Sequence, residues 1–462
     1  MVEHLLPISK TNVVTLLNRE TTYAVPPTTA NTYKQIAFNA SSLARQQTLI
    51  PNPELRGSRM QGALVVGPKN PGGPVQGYQT DETIVAFYEA LYGSRVSTEL
   101  AAIGLTVSAA LAGAGAGLVT TGTHSYKIVI TKGVLGYTLP SVVSGIVTTD
   151  TSTDGKVNVS RTGGALPSGW TWDIYRTIAG NTGAWKLVNP SPLGAAAVSY
   201  LDNIADGSLG ANAPSSSTAG DYSHLITIAN ILPSYTIERS MPYINDAAQF
   251  IRGVGCKIDT GKIQLKSTGY FDLQSNWLTQ GVTTHDVSVE TGTPIDWRFG
   301  EKLHQAMIGA GMVKVGPSLD GLGGLADFGK FLDVTFDHNN NLDKTDYPLG
   351  LSGDRGSLTE LQAISTVSGT IKVTEPSALD FLQSAPALQL IQIEHELATF
   401  GHTMTHRFYG CQLDPMDPPV AGQGILTAGF TAHAVQDPTS GLQAEIIIVN
   451  GVPGPVYYDA NA

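Results

Sequence analysis

The two cysteines of the chain have its most reactive side chains, and both lie in the same short pattern. The octet RGVGCKID begins at Arg252, and the octet RFYGCQLD begins at Arg407, 155 positions later. A reactive thiolate needs a basic neighbour, a helix start or a metal to lower its pKa. Neither octet supplies one, so we interpret both cysteines as buried core thiols.

The shared positions of the octets predict a strand with one tight backbone position. In each octet the glycine permits that position, the cysteine points into the core, the aspartate ends the strand at a turn, and the arginine pairs with an acid of a neighbour. These equivalent positions are Arg252, Gly255, Cys256 and Asp259 in the first octet and Arg407, Gly410, Cys411 and Asp414 in the second.

Two other stretches contain possible metal ligands. His402 and His406 of HTMTH are four positions apart, which on a helix would suit zinc, but their neighbours predict a strand and no third ligand is evident. We expect surface or interface histidines there. The stretch 337–346, DHNNNLDKTD, begins as a calcium loop does, but Leu342 and Pro348 stand where an EF-hand needs glycine and glutamate. It is interpreted as a polar hairpin loop.

The sequence offers no clear catalytic pattern. Acids such as Glu290 and Asp296 could pair as glycosidase acids, but every acidic surface offers such pairs. The stretch GAGAG lacks the strand and helix of a dinucleotide site, and the GxSxG, Walker and HExxH motifs do not occur. We therefore predict neither an enzyme nor a bound cofactor or metal.

The composition favours strands and turns. Only 14% of the 462 residues are charged, while glycine (51) and proline (26) are abundant, and 48.6 kDa is enough for two or three domains. The net charge of −11 argues against a nucleic-acid-binding face. Two cysteines are too few for a secreted disulfide framework, and MVEHLLPISK has no signal-peptide run. The uncharged segment Leu100 to Tyr126 is too rich in Ala, Gly and Thr for a membrane span.

Landmarks around the octets occur twice in the same order. An Ile-Glu pair precedes each octet, and a glycine before an aromatic residue follows each one. Further back, GALVV resembles GTIKV, and each precedes a segment with the start signals of a helix, TDETIVAFYEAL or TEPSALDFLQSA. We infer two copies of one module that runs strand, long loop, strand, helix, strands. The paired landmarks are Gly62 and Gly369, Glu238 and Glu394, and Gly269 and Gly429.

Between its helix and its octet, the first copy carries a stretch that the second lacks. Small-residue linkers bound it, and its alternating runs, such as WTWDIYRT and AVSYLDN, predict a small antiparallel sandwich. It resembles a fibronectin type III or immunoglobulin-like domain without a cysteine pair. Residues 118–217 carry a net charge of +1, which leaves −12 for the rest. The predicted core of this stretch is Trp172, Tyr175, Trp185 and Tyr200.

The predicted fold class is mainly β, with two tandem β-sandwich or half-barrel modules, each flanked by a helix, and one inserted β-sandwich. We place the first module at 1–117 and 218–300, the inserted domain at 118–217, a linker at 301–330 that includes a glycine-rich stretch, and the second module at 331–462. A tandem pair without a catalytic site suggests a structural subunit. Two copies per chain let a trimer imitate a six-fold ring and close its sheet edges.

The order of these elements, the TIER...RGVGC stretch and the ending GFTAHAV...LQAEIIIVNG resemble the major tail tube proteins of long-tailed bacteriophages. The duplicated kind with an added immunoglobulin-like domain is the more similar one, over about residues 30–95, 222–285 and 330–452. This resemblance implies homotrimeric rings that stack into the virion tail tube, with an acidic lumen that conducts genomic DNA without specific binding. It also implies assembly in the host cytoplasm, no membrane, and as partners the tape measure, tail terminator and distal tail proteins.

By position, the loops at 43–59 and 339–356 match the ring-stacking loops of that family, although a simple solvated loop is an equal alternative. A second function also stays open: a secreted or surface protein that binds carbohydrate through the tryptophan-rich insert. The candidate charges between rings are Arg56, Arg59, Asp343, Lys344, Asp346 and Arg355.

Overall fold

The computed structural model shows a chain built mainly from β-strands, which confirms the predicted fold class. The described residues are 14–38, 40–41, 44, 47–51, 64–100, 105–132, 136–162, 166–217, 219–244, 247–266, 269–270, 272–298, 313–328, 331–349, 351, 353–383, 387–396, 402–415, 417–418 and 426–453. Arg56 and Arg59 lie outside these residues. Within the described ranges, no helix has the length and apolarity needed to span a membrane.

The first part of the chain places seven strands around one helix. These elements are β1 (Thr15–Arg19), β2 (Lys34–Ile36), β3 (Ala40–Ser41), β4 (Gln47–Ile50), β5 (Val65–Lys69), β6 (Gly72–Tyr78), α1 (Thr83–Tyr92) and β7 (Gly93–Leu100). The predicted helix start is confirmed: Thr83 N donates to Thr80 Oγ1 over 3.1 Å, and Thr80 N donates to Thr83 Oγ1 over 2.8 Å. This reciprocal pair caps the first turn.

The inserted segment between β7 and the next strand of the body consists of short strands. These are β8 (Val107–Leu111), β9 (Gly122–His124), β10 (Tyr126–Thr131), β11 (Val147–Thr149), β12 (Val157–Arg161), β13 (Thr171–Ile178), β14 (Thr182–Leu187), β15 (Leu193–Gly194) and β16 (Ser199–Asp202). They pair only among themselves in the described part of the chain, with β12 between β8 and β16, and β13 between β10 and β14.

The chain then returns to the body and builds the second half. The strands are β17 (Asp221–Ile228), β18 (Tyr235–Ile244), β19 (Ala247–Lys266), β20 (Asp272–Leu278), β21 (Gly281–His285), β22 (Ile295–Asp296), β23 (Val313–Pro317), β24 (Ala326–Asp327), β25 (Phe331–Asn339), β26 (Ile364–Lys372), β27 (Gln389–Glu396), β28 (Thr403–Leu413), β29 (Thr427–Ala434) and β30 (Ala444–Asn450), with α2 (Pro376–Leu382) after β26.

Six strands from both halves form one continuous antiparallel layer, in the order β6, β20, β19, β25, β26, β29. Because side chains alternate along a strand, residues opposite one another share a face. Ile263, Phe336 and Val367 lie in one such row, and all three are buried. Because this row is apolar, other elements must pack on that face of the layer to shield it from water.

Both helices cover the apolar face of this layer. Phe87 of α1 packs edge to face on Trp277 of β20, with ring centroids 6.1 Å apart. Phe381 of α2 packs in the same way on Phe430 of β29, at 5.5 Å. Aromatic pairs of this geometry add about 1 kcal/mol each beyond the area they bury. The result is one main core shared by the two halves.

The inserted segment has a hydrophobic core of its own, but two of the four residues predicted for that core lie outside it. Trp172 is fully buried in this core, and the half-buried Tyr200 packs against the cluster. Tyr175 lies outside this cluster because it is three positions from Trp172 on β13, and strand residues at an odd spacing point to opposite faces. Trp185 is also outside it, half-buried under Lys127 Nζ, which lies 4.8 Å from the ring centroid.

A buried cation completes this core instead. Arg176 shares the inward face of β13 with Trp172 and is fully buried. It donates to Asp202 Oδ2 over 2.6 Å and to Asp206 Oδ1 over 2.8 Å, while Tyr126 Oη donates to the same Asp202 oxygen over 2.8 Å. A buried charge needs pairing of this kind, although Arg176 Nε is buried without a hydrogen-bond partner among the described residues. The sequence pattern did not indicate this network.

Two predicted boundaries also change. The glycine-rich stretch expected as a linker contains part of β23, which pairs with β27 as a regular strand from Val313 opposite Ile393 to Pro317 opposite Gln389. The strand that leads into α1 is β6 rather than GALVV, which begins at Gly62. The β-branched run in GALVV supplies β5, and β5 pairs with β4 in a separate two-stranded ribbon.

Candidate assembly surface

Two β-hairpins, one in each half, have the same register. In the first, Lys257 lies opposite Leu278, and in the second, Gln412 lies opposite His433. Gln412 lies 155 positions after Lys257, and His433 lies 155 positions after Leu278, which is also the spacing of the two octets. The offset therefore stays constant through the hairpin.

The strand neighbours of the two hairpins also correspond. Six antiparallel pairings of the first half each have a counterpart in the second half. The matched pairings are β1–β18 and β23–β27, β18–β19 and β27–β28, β19–β20 and β28–β29, β19–β21 and β28–β30, β6–β20 and β26–β29, and β3–β6 and β25–β26.

The ladders also correct the alignment of the acidic landmarks. Glu238 lies opposite Arg252, and Gln392, rather than Glu394, lies opposite Arg407. Arg252 Nε donates to Glu238 Oε2 over 2.8 Å, and Arg407 Nε donates to Gln392 Oε1 over 2.9 Å. Arg407 finds its acid on the other side, where its Nη1 donates to Glu445 Oε1 of β30 over 2.6 Å. Each octet arginine thus pairs with an acid of a neighbouring strand.

The glycines and cysteines of the octets occupy matching environments. Gly255 has a φ of 61° and Gly410 a φ of 55°, both in the left-handed region. The strand register shifts beside each of them, as at a β-bulge. Cys256 and Cys411 are fully buried free thiols, and burial raises the pKa of both. Neither thiol is prepared for nucleophilic chemistry.

The aspartates of the two octets differ in their surroundings. Asp259 is buried, accepts from Leu342 N over 3.1 Å and pairs through Oδ2 with Lys344 Nζ at 2.7 Å. Asp414 has a side chain 68% exposed, with His433 Nε2 3.6 Å away. A loop of the second half therefore covers the end of the first octet, while the equivalent end of the second octet is open in a single chain.

The two halves are joined by two ladders. β19 pairs with β25 from Thr260 opposite Asn339 to Lys266 opposite Asp333. β17 pairs with β30 along six residues. The joint therefore uses backbone hydrogen bonds at both edges, which fixes the position of one half against the other.

Asn340 fastens this joint from inside. Its Nδ2 donates to Leu91 O of α1 and to Ile258 O of β19, each over 2.9 Å. Its Oδ1 lies 3.0 Å from His338 Nε2, and His338 Nδ1 lies 2.8 Å from Ser365 Oγ. These residues belong to the stretch weighed as a calcium loop, and its polar groups bind the protein itself. Among the described residues no acid, histidine or cysteine cluster suited to a metal occurs.

The predicted loop charges of the second half have different positions. Arg355 is fully buried, with Nη1 3.4 Å from Thr279 O and Nη2 bonded to Asn70 Oδ1, so it is not available as a charge between rings. Asp354 nearby pairs with Lys69 Nζ at 2.8 Å. The prediction for Arg355 is thus corrected, because a buried guanidinium binds the first half of its own chain.

The other three charges lie on the outer part of the loop. Lys344 is half exposed and pairs with Asp259 as described above. Asp343 accepts from Thr345 N over 2.8 Å, and Asp346 accepts from Ser357 Oγ over 2.8 Å. Both carboxylates are partly exposed. Leu349, at the tip of this loop, is fully exposed.

The β4–β5 ribbon of the first half is a second exposed apolar feature. Leu49 lies opposite Val66 and Ile50 opposite Val65, so both faces of the ribbon carry aliphatic side chains. Their exposed fractions range from 49% for Ile50 to 61% for Val65. An isolated two-stranded ribbon is marginally stable in water, and an apolar one normally marks a contact surface.

The face of the six-stranded layer that the helices leave uncovered is polar. Hydroxyl and amide side chains dominate it, and its acids Asp333 and Asp337 lie among the lysines Lys262, Lys266 and Lys372, with Lys262 Nζ 3.8 Å from Asp337 Oδ1. The acids thus do not outnumber the lysines among its described side chains. Other residues on this face include Gln76, Gln264, Gln274, Asn276, Thr366, Ser368, Thr370, Thr431 and His433.

The remaining candidate acids serve structural roles. Glu290 accepts backbone N–H groups of residues 31 to 33 and of Gly292; although burial opposes the effect, these bonds lower its pKa. Asp296 pairs with Arg298, whose hydrogen bonds lower the pKa of that carboxyl. The two carboxyls are thus committed to different partners.

His406 lies on strand β28, as predicted, whereas His402 directly precedes that strand, and both histidines are buried rather than at the surface. His406 contacts Tyr88 Oη through Nε2, and its ring stacks at 5.3 Å on Phe336. His402 lies between two aspartates. No local sequence signal predicts these long-range partners.

Comparison with known proteins adds a family. The model of a protein family described as phage tail tube protein matches residues 11–434. Among curated proteins, none matches the chain at a significant level. The matched range runs through both halves and the inserted segment, and so it covers most of the chain.

Proposed function

Because the chain belongs to the phage tail tube protein family, we propose that three copies form a pseudo-hexameric ring and that such rings stack into the tail tube. The chain is a structural protein of the virion tail, in a family that is structural rather than enzymatic. In the proposal it assembles in the host cytoplasm, and its neighbours in the tail are the tape measure, tail terminator and distal tail proteins.

The matched strand pairings of the two halves carry the proposal of a ring. They support two tandem copies of one module, so that three chains supply six similar units. The joint inside the chain, where β19 pairs with β25, then has a counterpart between chains. There the open end of β28, at Asp414, would meet β3 of the next copy.

The joint between copies differs from the joint inside the chain in one respect. At an offset of 155, Thr260 of β19 corresponds to Pro415, and Pro418 follows. Proline has no N–H group to donate to a ladder. We therefore propose that the joint between chains has fewer backbone hydrogen bonds than the joint inside one chain. When a ring dissociates, the joints between chains should open first and the two halves of each chain should stay together.

Stacking of rings is assigned to the two apolar loop features. The β4–β5 ribbon and the tip at Leu349 occupy corresponding places in the two halves, the ribbon between β3 and β6 and the tip between β25 and β26. Contact with the next ring would remove their exposed aliphatic side chains from water, at about 25 cal/mol per Å² buried. Arg56, Arg59, Asp343, Lys344 and Asp346 stay in the proposal as charges at the border of this contact.

The lumen is assigned to the polar face of the six-stranded layer, because the helices cover the opposite face. This assignment gives DNA conduction a different physical basis from the acidic lumen that the sequence suggested. Three lysines lie among the two acids described on this face, and hydroxyl and amide groups dominate it. Phosphates passing such a wall meet no basic cluster that would hold them.

The inserted segment is proposed as an immunoglobulin-like domain on the outside of the tube. The carbohydrate-binding alternative is less favoured, because each tryptophan of this segment has a partner within the chain. Trp172 is buried, Trp185 lies under Lys127, and Trp170 lies under Lys132 Nζ at 5.2 Å. A sugar needs an open aromatic face.

Sedimentation velocity over a wide range of protein concentrations tests the proposal. We expect a shift from single chains to particles of three chains, followed by much larger species. Single chains at every concentration and salt level would refute the ring. Particles of two or six chains would refute the proposed tandem arrangement while leaving the family assignment intact.

A further inference from the structure

Four charged side chains from separate parts of the chain form an alternating line at the base of the inserted segment. Asp81 precedes α1, Asp221 begins β17, His402 precedes β28, and Lys132 follows β10 of the inserted segment. His402 Nδ1 lies 2.5 Å from Asp81 Oδ2, and His402 Nε2 lies 3.1 Å from Asp221 Oδ1. Lys132 Nζ donates to the same Asp221 oxygen over 2.5 Å.

The geometry requires His402 to be positively charged. A carboxylate only accepts hydrogen bonds, so both ring nitrogens of His402 must carry a proton to bind Asp81 and Asp221. The charges then alternate from Asp81 to Lys132 and cancel. Burial alone lowers the pKa of His402, but the hydrogen bonds to Asp221 and Asp81 outweigh it and raise the pKa to about 9.

The line is shielded from water, so each member depends on its neighbours. The side chains are between 5% exposed for His402 and 10% for Asp81. Asp81 Oδ1 is buried without a hydrogen-bond partner among the described residues, which leaves His402 as the cation that compensates this carboxylate. Breaking one link of a buried charge network is strongly unfavourable because it strands the remaining charge.

Lys132 is the contribution of the inserted segment to this line. The ends of the chain that enter and leave the segment lie side by side, with Leu100 opposite Asp221. A further link is the hydrogen bond from Ala219 N to Tyr137 O, over 2.9 Å. We propose that the line Asp81, His402, Asp221 and Lys132 is a latch that fixes the inserted segment on the body of the chain.

The latch is expected to open at alkaline pH. His402 is charged in the closed form, so its contribution is complete below its unfolded pKa of about 6.5 and is lost as the pH rises through about 9. Asp81 and Asp221 are the titratable groups in contact with it, and Lys132 reaches it through Asp221. His224 is linked to Asp81 through Asn450; burial lowers its pKa to about 4, so it stays neutral throughout the alkaline range.

A spin-label distance across the latch tests the proposal. Ser191 on the inserted segment and Gln274 on β20 are exposed, so Ser191→Cys and Gln274→Cys accept labels, while the native thiols are buried. We expect a narrow distance distribution at pH 7 that broadens severalfold by pH 10. His402→Gln should be broad already at pH 7, and so should Lys132→Met. His433→Gln, at a half-exposed histidine, is the matched control and should behave like the parent.

Each outcome decides the question. A folded His402→Gln or Lys132→Met protein with the narrow distribution of the parent at pH 7 overturns the latch. If neither variant folds, the pH series on the parent decides, and a distribution that stays narrow at pH 10 overturns it. The test uses single chains, so its result does not depend on whether rings form.

Discussion

Gly255 and Gly410 take the same left-handed conformation at the same place in two hairpins of identical register. At such positions any residue with a Cβ costs about 1–2 kcal/mol. A Cβ at Gly410 would also lie 2.6 Å from Val435 O, whereas the nearest atoms at Gly255 are the side chains of Gln280 and Tyr23 at 3.1 Å. The two glycines therefore have the same backbone conformation, but a Cβ would meet a closer and less movable neighbour at Gly410 than at Gly255.

We therefore expect Gly410→Ala to lower the free energy of unfolding more than Gly255→Ala does. Gly429→Ala is the control, because its nearest atom is 3.8 Å away and its φ is not positive. Urea titrations of the three variants measure the order. An equal loss of unfolding free energy in all three variants would contradict the assignment of strain to the octet glycines.

The thiols of Cys256 and Cys411 should be inert in the folded chain. Both are fully buried, and burial raises the pKa of each, so the thiolate that reacts with disulfide reagents is scarce. We expect that an aromatic disulfide reagent does not react with the native protein. In denaturant it should react with both cysteines, which is measured as the coloured thiol that the reagent releases. Rapid labelling of assembled protein would instead support reactive cysteines.

Asn340 should be central to the stability of the joint between halves. Asn340→Ala leaves Leu91 O and Ile258 O without their donor, at about 1–3 kcal/mol for each unsatisfied group. We expect a loss of about 3 kcal/mol in the free energy of unfolding. Asn158→Ala, at an exposed position of β12, should change it little. Similar midpoints for both variants in urea would argue against the role of Asn340.

Stability should fall on both sides of neutral pH. Burial lowers the pKa of His338 to about 4 and of His395 to about 3, so the stability from these neutral rings is complete above about 6.5 and is lost as the pH falls. His402 acts in the opposite direction, and its contribution is lost as the pH rises through about 9. Urea midpoints from pH 4 to 10 measure both limbs. His402→Gln should flatten the alkaline limb alone, and an unchanged alkaline limb would contradict this account.

The β4–β5 ribbon should control stacking without affecting ring closure. Val65→Asp and Val66→Asp place a charge on opposite faces of the ribbon, and burying such a charge in a contact is unfavourable. We expect rings that fail to elongate, seen as short particles in negative stain. Val142→Asp, at a 68% exposed position of the inserted segment, should leave long tubes. Long tubes from the ribbon variants would remove this ribbon from the stacking contact.

Local pattern predicted much of the fold, and long-range pairing limited the rest. The helix starts, the strand of each octet and its left-handed glycine follow from residue type and spacing. Trp185 was misplaced because composition does not show which face of a strand is inward. Arg355 was misplaced because its partners lie 76 and 285 positions away in the chain. The charge line through His402 draws on four distant segments, and no local motif marks it.

The shape of the assembled ring tests the central claim most directly. Cryo-electron microscopy of tubes viewed along the axis counts the units around the lumen and the domains on the outside. The tandem arrangement predicts six similar inner units and three outer domains, because each chain carries two modules and one insert. Equal numbers of inner units and outer domains, or particles without a closed ring, would contradict it.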